Sequence, residues 1–286
     1  VFVIAGPTAA GKSAVAIDLA RRVGGTIVNA DASQVYADLR ILSARPSAAD
    51  EAAVPHRLYG VIDGTEACDA ARWAGMARAV IAETLAEGRV PIVTGGSGLY
   101  LRTLLDGIAS VPPIDPDVRA AVRAMAPADA LAALVALDPT AAARLADPQR
   151  VARALEVVRS TGRRLADWQA VATGGIAAGM DIRGHVVDLP RADLHARIDA
   201  RLDAMVAAGV LDEVAALGRR ALSPDAPVMK ALGVAPFLAH LHSEISLAAA
   251  LDATRRDTRR YAKRQQTWFR NQTPDWRRSN DFNENG

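Results

Sequence analysis

The 286-residue chain is half apolar, only 4% aromatic and 23% charged, with a formal net charge of +2. That composition can bury one large core or two ordinary ones and excludes a disordered or collagen-like chain. The lone Cys68 excludes a disulfide framework and a thiolate-built zinc site and fits a reducing, cytoplasmic setting, and no apolar run reaches the ~18 residues of a membrane span.

The opening Val1-Phe2-Val3-Ile4 has no basic leader and reads as the first strand of a cytoplasmic protein trimmed to that strand, not as a signal peptide. It ends at Gly6, and a helical pattern begins at Lys12, so strand, glycine loop and helix open an α/β unit. A second β-branched run, Thr26-Ile27-Val28, ends in Asn29-Ala30-Asp31. A helix is predicted over residues 71–87, and a third run, Pro91-Ile92-Val93-Thr94, ends in Gly95-Gly96. Residues 115–179 are rich in Ala, Leu and Arg, almost free of β-branched runs, and bounded by Pro112-Pro113 and Gly174-Gly175, which predicts an all-helical insertion. A fourth run, His185 to Leu189, stops at Pro190, and the chain is helical again from Leu194. One long helix is predicted over residues 247–271, ended by Pro274 and a polar tail.

The expected fold is therefore α/β: a P-loop NTPase-like parallel sheet flanked by helices, with an all-helical insertion domain. Residues 1–114 form the first part of the core, 115–179 the insertion, and 180–286 complete the core and carry a basic C-terminal helix. No fixed-period repeat is present.

Gly6-Pro7-Thr8-Ala9-Ala10-Gly11-Lys12-Ser13 satisfies G-x-x-x-x-G-K-[ST] between a strand and a helix, the motif of nucleotide-binding P-loops. Its glycines let the backbone wrap an anion, Lys12 would neutralise terminal phosphates, and Ser13 would offer its hydroxyl to Mg²⁺. The motif specifies a polyphosphate and leaves open whether phosphate is transferred or departs. The guanine-reading Asn-Lys-x-Asp of a GTPase is absent. Asp188 in Val186-Val187-Asp188 imitates a Walker B aspartate, but Pro190 makes it a poor metal site; Ser97 is no hydrolase elbow, because Leu99 stands where glycine is required. Ligands of parallel sheets sit at carboxyl strand ends, where Asp31 and Gly95-Gly96-Ser97-Gly98 lie. Asp31 reads equally as a general base or as a turn cap before Ser33 and Gln34, and Ser97 alone reads as a turn serine. The five histidines have no metal-ligand spacing supported by other residues.

Taken together, these segments resemble the tRNA dimethylallyltransferases, or tRNA isopentenyltransferases, of the bacterial type. The resemblance runs through the P-loop, Asn29 to Tyr36, Ala44-Arg45-Pro46, Val54-Pro55-His56, and Gly95 to Tyr100. It continues in Asp147-Pro148-Gln149-Arg150 with Arg153 to Glu156, in Arg197 with Arg201, and in Lys263 to Arg270. It implies transfer of a dimethylallyl group from dimethylallyl diphosphate to N6 of the adenosine just 3′ of the anticodon (position 37), with diphosphate and Mg²⁺ in the P-loop. It implies Asp31 as the base, Arg197 as the arginine on the leaving group (an exposed helix arginine being the bland alternative), and Ser97 at the catalytic centre. Contacts to tRNA are implied for Asp31, Ala32, Ser33, Gln34, Ser97, Arg119, Gln149, Arg150, Arg153, Lys230, Lys263, Arg264, Gln265, Gln266, Trp268 and Arg270. A monomer is also implied. The chain departs from the family's usual pattern in Asp31-Ala32-Ser33-Gln34, where the serine falls one residue later, in Ser43-Ala44-Arg45-Pro46 and in Gly233-Val234-Ala235; a C-terminal zinc finger has no counterpart.

Between Arg255 and Arg278 nine Arg or Lys face two Asp, a local balance of +7 that leaves −5 for the rest of the chain. At helical spacing Arg255, Arg259 and Lys263 form one stripe, with Arg256, Arg260 and Arg264 beside it and few acidic partners at i±4. Such a strip neutralises RNA phosphates, and Tyr261, Trp268 and Phe269 could stack on a splayed base; the alternative is a solvated face with the aromatics turned to the core. Two competing readings share the cradle: a small-molecule kinase, which has no use for the basic helix, and a nucleotide-switched RNA-binding protein, which would leave no covalent product.

Overall fold

The computed structural model describes residues 1–109 and 111–280; the end of the polar tail, residues 281–286, lies outside the described residues. Along the chain run β1 (Phe2–Ala5), α1 (Lys12–Val23), β2 (Gly25–Asn29), α2 (Ala48–Ala53), β3 (His56–Arg57), α3 (Ala70–Ala86), β4 (Val90–Gly95) and α4 (Gly98–Asp106). Then follow β5 (Ile108–Ala109), α5 (Pro116–Ala124), α6 (Pro127–Leu137), α7 (Pro139–Arg144), α8 (Pro148–Thr161), α9 (Leu165–Gln169) and β6 (Ala172–Thr173). The chain closes with β7 (Arg183–Val187), α10 (Arg191–Ala207), α11 (Val210–Arg219), α12 (Val234–Leu241), α13 (Leu247–Gln272) and β8 (Arg277–Ser279).

Two compact units are present: residues 1–104 with 177–286, and residues 105–176. The first holds a six-stranded sheet in the order β3-β2-β4-β1-β7-β8, with every pairing parallel. Its central strands are the four apolar runs, buried because helices cover a parallel sheet on both faces. Ile4, Ile27, Ile92 and Val187 pack with Leu19 of α1 and with Leu194 and Ile198 of α10. Edge strands β3 and β8 are two and three residues long and polar, so no apolar pattern marks them. Because the strands are parallel, Gly6, Ala30-Asp31 and Gly95-Gly96 all follow carboxyl strand ends, where parallel sheets bind ligands.

The second unit has its own core, centred on Val122, Leu134, Val151 and Leu155. Its helices α5 to α8 each begin on proline, which needs no acceptor for an N–H at a first helical position. Asp115, Asp138 and Asp147 cap three of them through side-chain oxygens. The Asp147-Pro148 of the resemblance is thus a helix start. Absent from the sequence reading is one antiparallel pair, β5 with β6, that joins the two ends of this helical unit. Among the described residues no helix is long and apolar enough to cross a membrane.

Candidate active site

The P-loop spans the gap between β1 and α1. Gly11 caps α1 at φ 100°, a left-handed conformation open to glycine. The first N–H groups of a helix have no acceptor within it, so this end of α1 attracts an anion. The cradle is narrower than the motif suggests. Pro7 has no N–H, the Thr8 N–H donates to Gln265 Oε1 at 2.8 Å, and the Ala10 N–H turns back to the Pro7 carbonyl at 3.3 Å. The Lys12 ammonium also donates to that carbonyl, at 2.7 Å. Among the described residues the amides of Ala9, Gly11, Lys12 and Ser13 have no such partner and remain for a ligand.

Asp31 is placed by a buried framework. Trp73 stacks on Tyr100 with centroids 4.6 Å apart, and its indole N–H donates to the Asn29 carbonyl at 2.9 Å. The fully buried Asn29 side chain accepts from the Asp31 N–H at 2.8 Å and donates to the Asp31 and Leu58 carbonyls at 3.1 and 3.0 Å. One carboxylate oxygen of Asp31 accepts the Ser33 N–H at 2.9 Å, so the turn-capping role is real. It does not exclude the other role, because Asp31 also lines the cavity described below.

Ser97 is buried and faces inward: its hydroxyl accepts the Ala32 N–H at 2.8 Å, and its own N–H donates to the Ala30 carbonyl at 3.1 Å. It thereby holds the Asp31 loop. Gln34 likewise points back into the protein, donating to the Ser43 and Ala44 carbonyls at 2.9 and 2.8 Å. That same loop is fastened from α11, where the Glu213 carboxylate accepts three successive N–H groups, Arg40, Ile41 and Leu42, at 2.6, 2.7 and 2.8 Å.

These parts surround a cavity of about 380 Å³. Its lining mixes two kinds of side chain, the polar or charged Lys12, Ser13, Asp31, Arg197 and Arg201 and the apolar Leu42, Ile198, Leu202, Met205 and Leu232. A single face of α10 supplies both, with arginines at i and i+4 and apolar residues between and beyond. Arg197 donates to the Ala10 carbonyl at 3.1 Å, and Arg201 reaches the Thr8 hydroxyl at 3.4 Å. Arg201 enters the sequence reading only beside Arg197 in the resemblance, without a role, and Tyr261 only as an aromatic that could stack on a base; both line this cavity.

Burial pushes the Lys12 ammonium down to about 8, with Arg201 adding to the fall and Asp31 opposing it. Burial lowers Arg201 too, again against Asp31, and raises the Tyr261 hydroxyl to about 12 with the help of the Asp31 charge. A bound anion would restore the lysine proton. Above a pH of about 8 the free protein must take up that proton on binding, so affinity for inorganic diphosphate should fall by up to about tenfold per pH unit. Calorimetry from pH 7 to 9 reads this, with Lys12→Met as the flat control; equal slopes in both proteins would remove Lys12 from the site.

The basic helix divides into two faces. Arg255 pairs with Asp203 at 2.7 Å and Arg259 with Asp199 at 2.5 Å, both acids lying on α10. This corrects the expected phosphate stripe of Arg255, Arg259 and Lys263: the helix has few acidic partners of its own, but α10 supplies them. Arg256, Arg260, Lys263, Arg264 and Arg270 stay exposed. Arg278 caps the helix by donating to the Phe269 and Thr273 carbonyls, both at 2.9 Å.

Of the three aromatics, Phe269 is 0% exposed and cannot stack on a base, while half-buried Trp268 stands edge-on to it and lies against Gly98. Gln265, expected at the tRNA surface, is 4% exposed, and Gln266 donates to Asp188 at 3.0 Å. Lys230 is exposed and pairs with Asp225 at 3.1 Å. In the second unit Arg119, Gln149 and Arg150 are exposed, whereas Arg153 lies 3.8 Å from the buried Glu156, which Arg123 also binds at 2.6 Å.

The two faces of α13 predict different phenotypes. Neutralising Arg256, Arg260 and Arg264 should reduce the slope of log K for tRNA against log salt by about 2. Replacing Arg255 and Arg259 by Gln should leave that slope alone and lower Tm by roughly 2–4 °C. Salt titrations and thermal melts check both, and an unchanged slope in the first variant would return that face to plain solvation.

The sequence profile of the family described as IPP transferase matches residues 34–272. A tRNA dimethylallyltransferase of Sphingopyxis alaskensis is 59% identical over 274 residues, covering 95% of this chain and 90% of that protein. One from Rhodospirillum rubrum is 53% identical over 279 residues, covering 95% and 85%. Among solved structures, the full-length tRNA isopentenylpyrophosphate transferase of Bacillus halodurans superposes with a TM-score of 0.70 at 31% identity, covering 97% of this chain and 88% of that one. A eukaryotic dimethylallyltransferase acting on tRNA superposes with a TM-score of 0.82 at 27% identity, covering 94% and 69%.

Proposed function

This chain belongs to the IPP transferase family, and from that membership we propose that it moves the dimethylallyl group of dimethylallyl diphosphate to N6 of the adenosine just 3′ of the anticodon in tRNA. It is a tRNA-modifying transferase of prenyl groups. The observation that carries the donor is the mixed lining of one cavity, cationic through Lys12, Arg197 and Arg201 and apolar through Ile198, Leu202 and Met205, with Asp31 among the lining residues.

The chemistry follows from that arrangement. The allylic C–O bond breaks and its electron pair leaves with the diphosphate. Negative charge growing there is met by the P-loop amides, Lys12, Arg197 and Arg201, donors fixed before reaction. The N6 lone pair forms the new C–N bond, and Asp31 takes the N6 proton through the oxygen not committed to Ser33. An adenine reaches this cavity only by leaving the anticodon stack. The exposed cations of α13 and the exposed Arg119, Gln149, Arg150 and Lys230 supply phosphate contacts, with Ala32 and Ser33 beside the base.

Among the described residues no cluster of three or more His, Cys, Asp or Glu could hold a metal ion. Mg²⁺ usually keeps several waters and relies on substrate phosphates, so the Ser13 hydroxyl beside the cradle suits an ion brought by the diphosphate, whose charge it would neutralise. The reading includes a monomer working in the cytoplasm, where buried Cys68 stays reduced.

Incubation with unmodified tRNA, Mg²⁺ and dimethylallyl diphosphate, followed by digestion and mass analysis, should yield prenylated adenosine without ATP. ADP release with a metabolite and no such product would turn the assignment toward a kinase. RNA binding without any covalent product would turn it toward a switch.

A further inference from the structure

We propose that Gln265 is a positioning residue that sets the spacing between the diphosphate cradle and the turn after β4, and hence between the allylic carbon and the base. The inference rests on the prenyl-transfer reading above and adds to it a residue that touches neither substrate. Gln265 lies about two turns before the end of α13 and is 4% exposed. Its Oε1 accepts the Thr8 N–H at 2.8 Å, and its Nε2 donates to the Gly96 carbonyl at 2.8 Å. The approach to Gly96 is so close that any side chain there would collide with the amide. Tyr261, one turn back, lines the cavity.

Both partners are backbone groups, one on the P-loop and one on the turn after β4. Thr8 belongs to the P-loop, and its amide, which the motif would direct at phosphate, is given up to this bridge. Gly96 precedes Ser97, which holds Ala30 and Ala32 around Asp31. One buried amide therefore ties the leaving-group side to the proton-accepting side. A buried polar group so paired is costly to disturb and rigid when satisfied. Reaction requires the two substrates to be held within a narrow geometry, so a loosened bridge should cost turnover without weakening either substrate's own binding.

The test compares wild type, Gln265→Met, which keeps the shape and removes both hydrogen bonds, and Gln265→Glu, which keeps an acceptor for Thr8 but sets an oxygen against the Gly96 carbonyl. Expected for both variants are separate affinities for inorganic diphosphate and for tRNA within roughly threefold of wild type, and kcat lower by roughly 30- to 100-fold. A raised KM for tRNA with kcat kept would make Gln265 a tRNA contact and overturn the proposal. Loss of both affinities together with a collapsed Tm, or failure of both variants to fold, would make it plain packing. Wild-type protein that binds both substrates and forms no prenylated tRNA would defeat the functional reading instead.

Discussion

Asp31→Asn should lower kcat by about 10²- to 10⁴-fold while tRNA affinity stays near that of wild type, because the variant loses a proton acceptor and little else. The asparagine amide oxygen can still accept the Ser33 N–H, so the turn that follows β2 keeps its cap. Asp31→Ala removes the cap as well. If proton transfer is the dominant role, the two variants lose similar activity; if the turn dominates, Ala is much the worse. Single-turnover rates with prebound tRNA separate these, and an Asn variant turning over at the wild-type rate would remove Asp31 from the base role. The arrangement favours the first outcome, since Asn29 holds the Asp31 backbone by two hydrogen bonds that neither substitution touches.

Lys12→Met should cost about 10²- to 10³-fold in kcat/KM for the prenyl donor, the usual scale for removing one preorganised donor from a developing anion. Arg197→Met and Arg201→Met should each lose activity in the same sense. Because all three cations line a single cavity, double variants should fall short of the sum of their parts. Of the guanidiniums, Arg201 is the more sheltered. Steady-state kinetics against donor concentration reads both effects. Full additivity among the three would indicate separate sites and contradict the shared cradle.

Much of this site is legible in the sequence because it is written locally. The P-loop carries fixed spacing between a strand and a helix, and four apolar runs mark the central strands. What escapes is whatever depends on a distant partner. His56–Arg57 and Arg277–Ser279 become strands only because β2 and β7 offer edges, and nothing in their composition signals it. Arg259 looks unpartnered along α13 and Arg255 has only Asp252 there, yet both find acids on α10, more than fifty residues away. Gln265 and Phe269 share a run with exposed Lys263, Arg264 and Arg270, and only packing shows which of them point inward. The narrowing of the cradle is equally hidden, because the group that occupies the Thr8 amide lies 257 residues later.

The two sets of arginine contacts on α13 also have a mechanical meaning. Near its middle the helix is fastened to α10 through Arg255 and Arg259, and at its end Arg278, on the sheet's edge strand, holds its last carbonyls. A rod held at two points bends least near its supports. Arg264 lies in the span between them, the same span whose bridging glutamine meets the P-loop and the turn after β4.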